Sequence, residues 1–383
     1  MVPDKENFAL SGPTFPTTVD WNNSNHKRSV AASLIQGVYV LESDRRNGRG
    51  GGPLALAPPW WKSFGFELHR VLTNDQGQYF AAVYEFNSPY NVGQHPPQYV
   101  VAFCYDLNNL AYCICCRDEP SCRDESRDEP SCRDESSFLV NIAKFNDGRL
   151  GKVEDLVTTL NCMIKNFKAN TNFQIGLEAS ADVISRVDKH PGNVWLVGHS
   201  IGASLTLLIG RNMVKSHSAH LETYLFNPPF ASLPIESIQS ERLKQGLRLV
   251  STVVTASLAV ATKVATGPKT QDDKAFTMLS SWVPHLFISS SDMICSEYAG
   301  YFEHRENMEA IGARKIGRMA TKHSIRSMVS SSLGKMDSEP VHLLPSAFLT
   351  INTGALPNFK EAHGIHQWWN PNSELKYKSY SYN

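Results

Sequence analysis

Val194-Trp195-Leu196-Val197-Gly198-His199-Ser200-Ile201-Gly202-Ala203-Ser204 is the stretch that decides the fold. Four apolar residues run into Gly198-His199-Ser200-Ile201-Gly202, which fits G-x-S-x-G. A second apolar run, Leu205-Thr206-Leu207-Leu208-Ile209-Gly210, follows with the length of a helix. Strand, tight turn and helix form the context of a nucleophile elbow. Such a turn strains the serine backbone, and glycines two before and two after keep side chains out of the strand–helix crossing. Ser200 then stands at a helix N-terminus, where the Ile201 N–H and the helix dipole can stabilise an oxyanion. A bare pentapeptide also occurs by chance on ordinary turns. The β-run before this one and the small-residue helix after it favour the elbow.

Working outward, residues 221–226, 282–289 and 347–352 read as strands, and 240–265, 303–312 and 313–328 as helices. Upstream, Val30, Leu34, Val38 and Leu41 mark a helix over 29–43. Residues 66–71 and 79–86 alternate about an Asp75-Gln76-Gly77 turn and read as a hairpin. The continuous apolar run 99–103 suits a buried parallel strand. Helical patterning returns at 153–166 and 173–187. Strands alternating with helices predict an α/β fold, a mostly parallel central sheet covered by helices on both faces. The expected organisation is an irregular leader at 1–28, one α/β domain at 29–375, and a tail at 376–383.

That domain is interrupted. Arg117-Asp118-Glu119-Pro120-Ser121-Cys122-Arg123-Asp124-Glu125-Ser126 repeats unchanged at 127–136. Charged residues, proline and serine cannot build a core, so 106–137 is expected to be a low-complexity, disordered loop. Of the eight cysteines, five fall at 113, 115, 116, 122 and 132. Their spacing is not that of paired zinc ligands, and the reading calls for no metal and no cofactor. Lys+Arg and Asp+Glu are equal at 37 each, which argues against a nucleic-acid or anionic-membrane binder. The first residues lack a basic, then apolar, signal pattern, and no run is long enough to span a membrane. A cytoplasmic protein is expected. The apolar stretch 249–262 is expected to be a buried or lid-forming helix, with peripheral membrane contact as the lesser role.

A serine hydroxyl needs a base to take its proton, and the base needs an orienting acid. In α/β-hydrolases the chain order is Ser, Asp or Glu, then His, on loops after later strands. Asp292 lies just after the strand ending near Ser289; a lone aspartate there can serve a turn or N-cap, but strand order and spacing favour the catalytic role. His363 and His366 lie about ten residues past the last strand, within ordinary loop lengths, and spacing leaves both open. Glu297, Glu303, His304 and His323 fall in expected helices, and His199 is expected to be a packing residue.

The segments 194–210, 291–305 (Ser-Asp-Met-Ile-Cys-Ser-Glu-Tyr-Ala-Gly-Tyr-Phe-Glu-His-Arg) and 361–369 (Glu-Ala-His-Gly-Ile-His-Gln-Trp-Trp) resemble a plant branch of the class 3, fungal-lipase-like α/β-hydrolases. The resemblance covers most of 8–104 and 150–375. Members are sometimes labelled GDSL esterases, though this chain has no Gly-Asp-Ser-Leu motif. The resemblance implies lipase or carboxylester hydrolase activity on a lipid or other acyl ester, with Ser200 as nucleophile, Asp292 as acid and His363 as base. His366 is the reserve base. It also implies an oxyanion hole made of the Ile201 N–H and a donor from the loop after residue 103, here placed at the Cys104 N–H. Relatives usually carry Phe-Arg-Gly-Thr there; this chain carries Phe103-Cys104-Tyr105-Asp106. The altered loop keeps a second expectation in play: a weak or inactive lipase-like scaffold that acts through protein partners, as some plant immune proteins of this superfamily do.

Overall fold

The computed structural model describes residues 18–50, 60–88, 95–104, 171–187, 190–230, 270–311, 344–371 and 373–382, with single positions at 13, 16 and 55. The repeat, the clustered cysteines, and the helices expected at 153–166, 240–265 and 313–328 lie outside the described residues, as does the apolar stretch 249–262.

One eight-stranded sheet runs in sequential order: β1 (Phe66–Thr73), β2 (Tyr79–Phe86), β3 (Tyr99–Phe103), β4 (Val194–His199), β5 (Glu222–Phe226), β6 (His285–Ser289), β7 (Ala347–Asn352) and β8 (Leu375–Tyr380). Strands β3 to β7 are parallel, and antiparallel pairs close the two ends. The mixed, mostly parallel sheet wrapped by helices is of the α/β-hydrolase type.

Parallel neighbours that follow one another in sequence need crossovers of one hand, so their helices gather on one face. Here those helices are α2 (Thr171–Arg186), α3 (Ile201–His217), α4 (Thr270–Ser281) and α5 (Glu297–Ala310). The opposite face is then left to the chain's ends. Helix α1 (Ser24–Arg46) covers it, together with the 3-10 turn Ile365–Trp368. The two-residue period of the strands serves both faces at once. Val101, Phe103 and Leu196 pack with α2 and α3, while Val100, Ala102, Trp195 and Val197 pack with α1. A third apolar cluster joins α3, α4 and α5 to β5, β6 and β7 through Leu207, Leu225, Leu286, Tyr298 and Leu349.

Two expectations shift. The first helix begins at Ser24, inside the stretch read as a leader, because Asn23 caps it by accepting from the Asn25 N–H at 2.9 Å. Its first turn is polar and carries no apolar period. Residues 376–380, read as tail, belong to β8 and pair with β7. The alternating Lys376, Tyr377, Lys378 and Ser379 suit a solvated edge strand, which lacks the apolar run used to find the others.

Candidate active site

The site lies where the parallel strands end, the usual place in open α/β sheets. The chain leaves β4 at Ser200, β5 at Asn227, and β6 shortly before Asp292. Past β7 the short helix α6 (Phe359–His363) delivers His363.

Ser200 has φ 56° and ψ −128°, a conformation that costs a non-glycine residue about 1–3 kcal/mol. The motif's glycines explain how the turn is tolerated. A Cβ on Gly202 would lie 2.7 Å from the Phe103 carbonyl oxygen, and one on Gly198 would collide with Thr206 Oγ1. Pairing of Phe103 with Gly198 brings β3 this close to the turn. The Ser200 N–H donates to the Phe226 carbonyl at 2.9 Å, which fixes the turn to β5. The Ile201 N–H is the first of helix α3 and has no acceptor within the helix.

The structure brings three of the expected residues together. His363 Nδ1 lies 2.8 Å from Asp292 Oδ2, and His363 Nε2 lies 2.8 Å from Ser200 Oγ. An ionised carboxylate only accepts, so the proton sits on Nδ1 and Nε2 accepts from the serine hydroxyl. Asp292 is fully buried. Burial alone would raise its pKa, but the nearby His363 and hydrogen bonds from His363, Asn227 and Cys295 outweigh it and hold the carboxyl below its ordinary value. Its other oxygen accepts from the Ile294 N–H at 3.0 Å. The buried Cys295 thiol donates to Asp292 Oδ2 at 3.1 Å, and burial with the adjacent carboxylate pushes that thiol well up.

His366 does not join them. Its Nε2 pairs with Glu361 Oε2 at 2.6 Å on the half-exposed side of the loop. The expected donor at Cys104 is corrected. Its N–H donates to the Phe80 carbonyl at 2.9 Å, because the β2–β3 ladder runs one residue past Phe103. That hydrogen is committed to the sheet and not to an oxyanion.

Several residues at the site carried no signal in the motif reading. Asn227 is buried with φ 46°. Its Nδ2 donates to Asp292 Oδ2 at 2.8 Å and to the Ala362 carbonyl at 3.2 Å. Gln367 Nε2 donates to the carbonyls of Ala362 at 2.7 Å and Gly364 at 3.0 Å, and its Oε1 accepts from Asn352 at 3.0 Å. His199, expected as packing, lies between Tyr39, whose hydroxyl is 2.9 Å from its Nδ1, and the His363 carbonyl, 2.7 Å from its Nε2. Phe359 stacks on His363 with ring centroids 5.2 Å apart. An asparagine at the end of a parallel strand, directly before Pro228-Pro229, was the one legible hint among these.

Among the described residues no group of three or more His, Cys, Asp or Glu side chains is placed to hold a metal ion, and no helix is long and apolar enough to cross a membrane.

No protein-family model matches the chain. No solved structure matches it either. It is 36% identical, over 400 aligned positions, to a protein of Arabidopsis thaliana named GDSL esterase/lipase At4g10955, and the match covers 100% of this chain and 99% of that relative. The chain therefore belongs to the plant GDSL-labelled esterase/lipase family.

Proposed function

We propose that the protein is a serine carboxylester hydrolase, of the class 3 lipase-like branch, acting on a lipid or other acyl ester. The observation that carries this reading is the unbroken chain Ser200 Oγ, His363 Nε2, His363 Nδ1, Asp292 Oδ2, with both contacts at 2.8 Å. The relative's name points the same way. In this mechanism Ser200 Oγ attacks the acyl carbonyl while its proton passes to His363 Nε2. Asp292, held as a carboxylate, orients the ring and stabilises the imidazolium. The Ile201 N–H, at the positive end of α3, donates to the oxyanion. The tetrahedral intermediate collapses, and the leaving alcohol takes the proton from His363. Water, deprotonated by the same nitrogen, then cleaves the acyl-serine to release the acid and restore the hydroxyl.

A second reading rests on Cys104. With its N–H committed to Phe80, Ile201 is the sole oxyanion donor named among the described residues. Loss of one such donor costs about a hundredfold to a thousandfold in turnover. A lipase-like scaffold with weak or no turnover follows if no further group supplies the second hydrogen bond.

A fluorophosphonate probe separates the two. Rapid labelling at Ser200, absent in Ser200→Ala, together with hydrolysis of p-nitrophenyl butyrate supports the hydrolase. Folded protein that neither labels nor hydrolyses supports the scaffold.

A further inference from the structure

Three consecutive carbonyls in the loop that carries His363 each receive a side-chain donor. Ala362 accepts from Asn227 and Gln367, Gly364 accepts from Gln367, and His363 itself accepts from His199. His199 is the residue immediately before the nucleophile. It therefore ties the main chain of the base to the strand that presents the serine. Its own state is fixed from the other side. A carbonyl only accepts, so the hydrogen must be on Nε2, and Nδ1 must accept from the Tyr39 hydroxyl. Tyr39 belongs to α1, the helix that covers the opposite face of the sheet.

We propose that His199, locked in its Nε2–H tautomer by Tyr39, is a positioning residue that holds the His363 main chain in register with Ser200. The inference rests on the hydrolase reading for its kinetic consequence and on hydrogen-bond chemistry alone for the tautomer.

Burial, with the neighbouring His363 ring centred 5.1 Å away, pushes the His199 pKa down to about 3. Asp292 and the His363 carbonyl favour the charged form, and His366 opposes it. The ring is therefore neutral wherever His363 works as a base, and it adds no positive charge against the imidazolium. Without the Tyr39 hydroxyl, Nδ1 loses its donor and the Nδ1–H tautomer becomes accessible. That tautomer points a lone pair at the His363 carbonyl. The base then loses one of its main-chain anchors, and misplacement of about 1 Å at a reacting group costs up to about a hundredfold.

The test compares the wild type with Tyr39→Phe, His199→Gln and His199→Leu. Gln reaches far enough to donate from its terminal amide; Leu keeps volume and donates nothing. With p-nitrophenyl butyrate, kcat is expected to fall about 10–100-fold in His199→Leu, with KM changed less than about twofold, and to recover to within about fivefold of wild type in His199→Gln. Tyr39→Phe, which loses only one oxygen, is expected to keep the wild-type far-ultraviolet circular dichroism spectrum and to lose about 3–10-fold in kcat. Equal losses in Leu and Gln, a loss carried by KM, or unchanged kcat in Tyr39→Phe each overturn the positioning role. A second readout needs no turnover. In 15N-histidine-labelled Ser200→Ala protein, His199 is expected to show a single Nε2–H tautomer from about pH 5 to about pH 9, and Tyr39→Phe a mixture. An Nδ1–H tautomer, or protonation above about pH 5, overturns the inference. If wild type shows no Ser200-dependent hydrolysis, the hydrolase reading fails while the tautomer result still decides this one.

Discussion

Trp368 Nε1–H donates to Asn227 Oδ1 across 2.6 Å, deep beneath the loop that delivers His363. Asn227 in turn donates to Asp292, so a tryptophan of the C-terminal turn fixes which way the amide faces that carboxylate. Trp368 is held itself, since its carbonyl accepts from the buried Arg28 of α1 at 2.8 Å. Asp292, the loop that carries His363 and the helix on the opposite sheet face thus share one hydrogen-bonded path.

Removing the Asn227 side chain should therefore cost both activity and stability. Asn227→Gly is the clean variant, because φ 46° suits glycine and the backbone need not move. It leaves the Trp368 N–H unsatisfied and takes a donor from Asp292. A loss of about 1–3 kcal/mol in urea unfolding is expected, with kcat down about 10–100-fold. Unchanged kcat would mean that Asp292 does not need this donor. Trp368→Phe frees Asn227 Oδ1 but leaves Asn227 Nδ2 on Asp292, so it should show the smaller effect of the two on kcat, while the cavity left by the fully buried indole costs stability of its own.

Backbone strain at the elbow gives a second expectation. Ser200→Ala and Ser200→Gly both lack the hydroxyl and should both abolish ester hydrolysis, but they differ in how they bear φ 56° and ψ −128°. Glycine tolerates that conformation and alanine does not, while glycine gives up more entropy on folding. The strain term is the larger, so the Gly variant should be more stable by about 0.5–2 kcal/mol. Calorimetry of the two proteins checks it, and an Ala variant that melts higher would mean that the turn relaxes once the hydroxyl is gone.

The two histidines of the C-terminal loop should behave very differently. His363→Gln removes the group between Ser200 and Asp292, and turnover should fall at least about a thousandfold. His366 pairs with half-exposed Glu361, and His366→Gln should leave kcat within about twofold. Rates on p-nitrophenyl butyrate decide between them. Comparable losses in both would move the base assignment.

How much was legible in the sequence follows the physics of each signal. The elbow, the parallel strands and the positions of Ser200 and Asp292 rest on local patterns: an apolar run, a glycine-bounded turn, a loop after a strand. The choice of His363 over His366 needed the family resemblance, because the two lie three residues apart in one loop and spacing treats them alike. Tyr39 was out of reach, since His199 lies 160 residues away and only the closed sheet brings the two together; Asn227 offered no more than its place at a strand end, with Asp292 65 residues on, and the Gln367 contact to Ala362, five residues away, is set by a loop turn that no periodic pattern marks. Cys104 was misjudged because a motif alignment cannot tell where an antiparallel ladder stops.

Acid should weaken the fold through His199. The unfolded chain takes a proton on this ring below its ordinary value of 6.5, whereas the folded protein, with the ring buried, does so only near about 3. Between those values the unfolded state binds more protons, so stability falls as pH falls, by up to about 1.4 kcal/mol per pH unit. Asp292 acts in the same direction further down. Its folded pKa is depressed, so its contribution is present above the unfolded value of 3.8 and is lost as pH drops through the folded one. His285, also lowered by burial, adds to the slope without distinguishing the variants. Urea midpoints at about pH 7, 5.5 and 4.5 therefore should fall more steeply in wild type than in His199→Gln, which has nothing to protonate at that position. The difference between the two slopes reports the loss of the His199 ring together with its coupling to His363, Asp292 and His366, since the other titrating groups are common to both proteins. Parallel curves would mean that the His199 ring takes up a proton in the folded protein about as readily as in the unfolded chain, and that its neutral tautomer is not enforced.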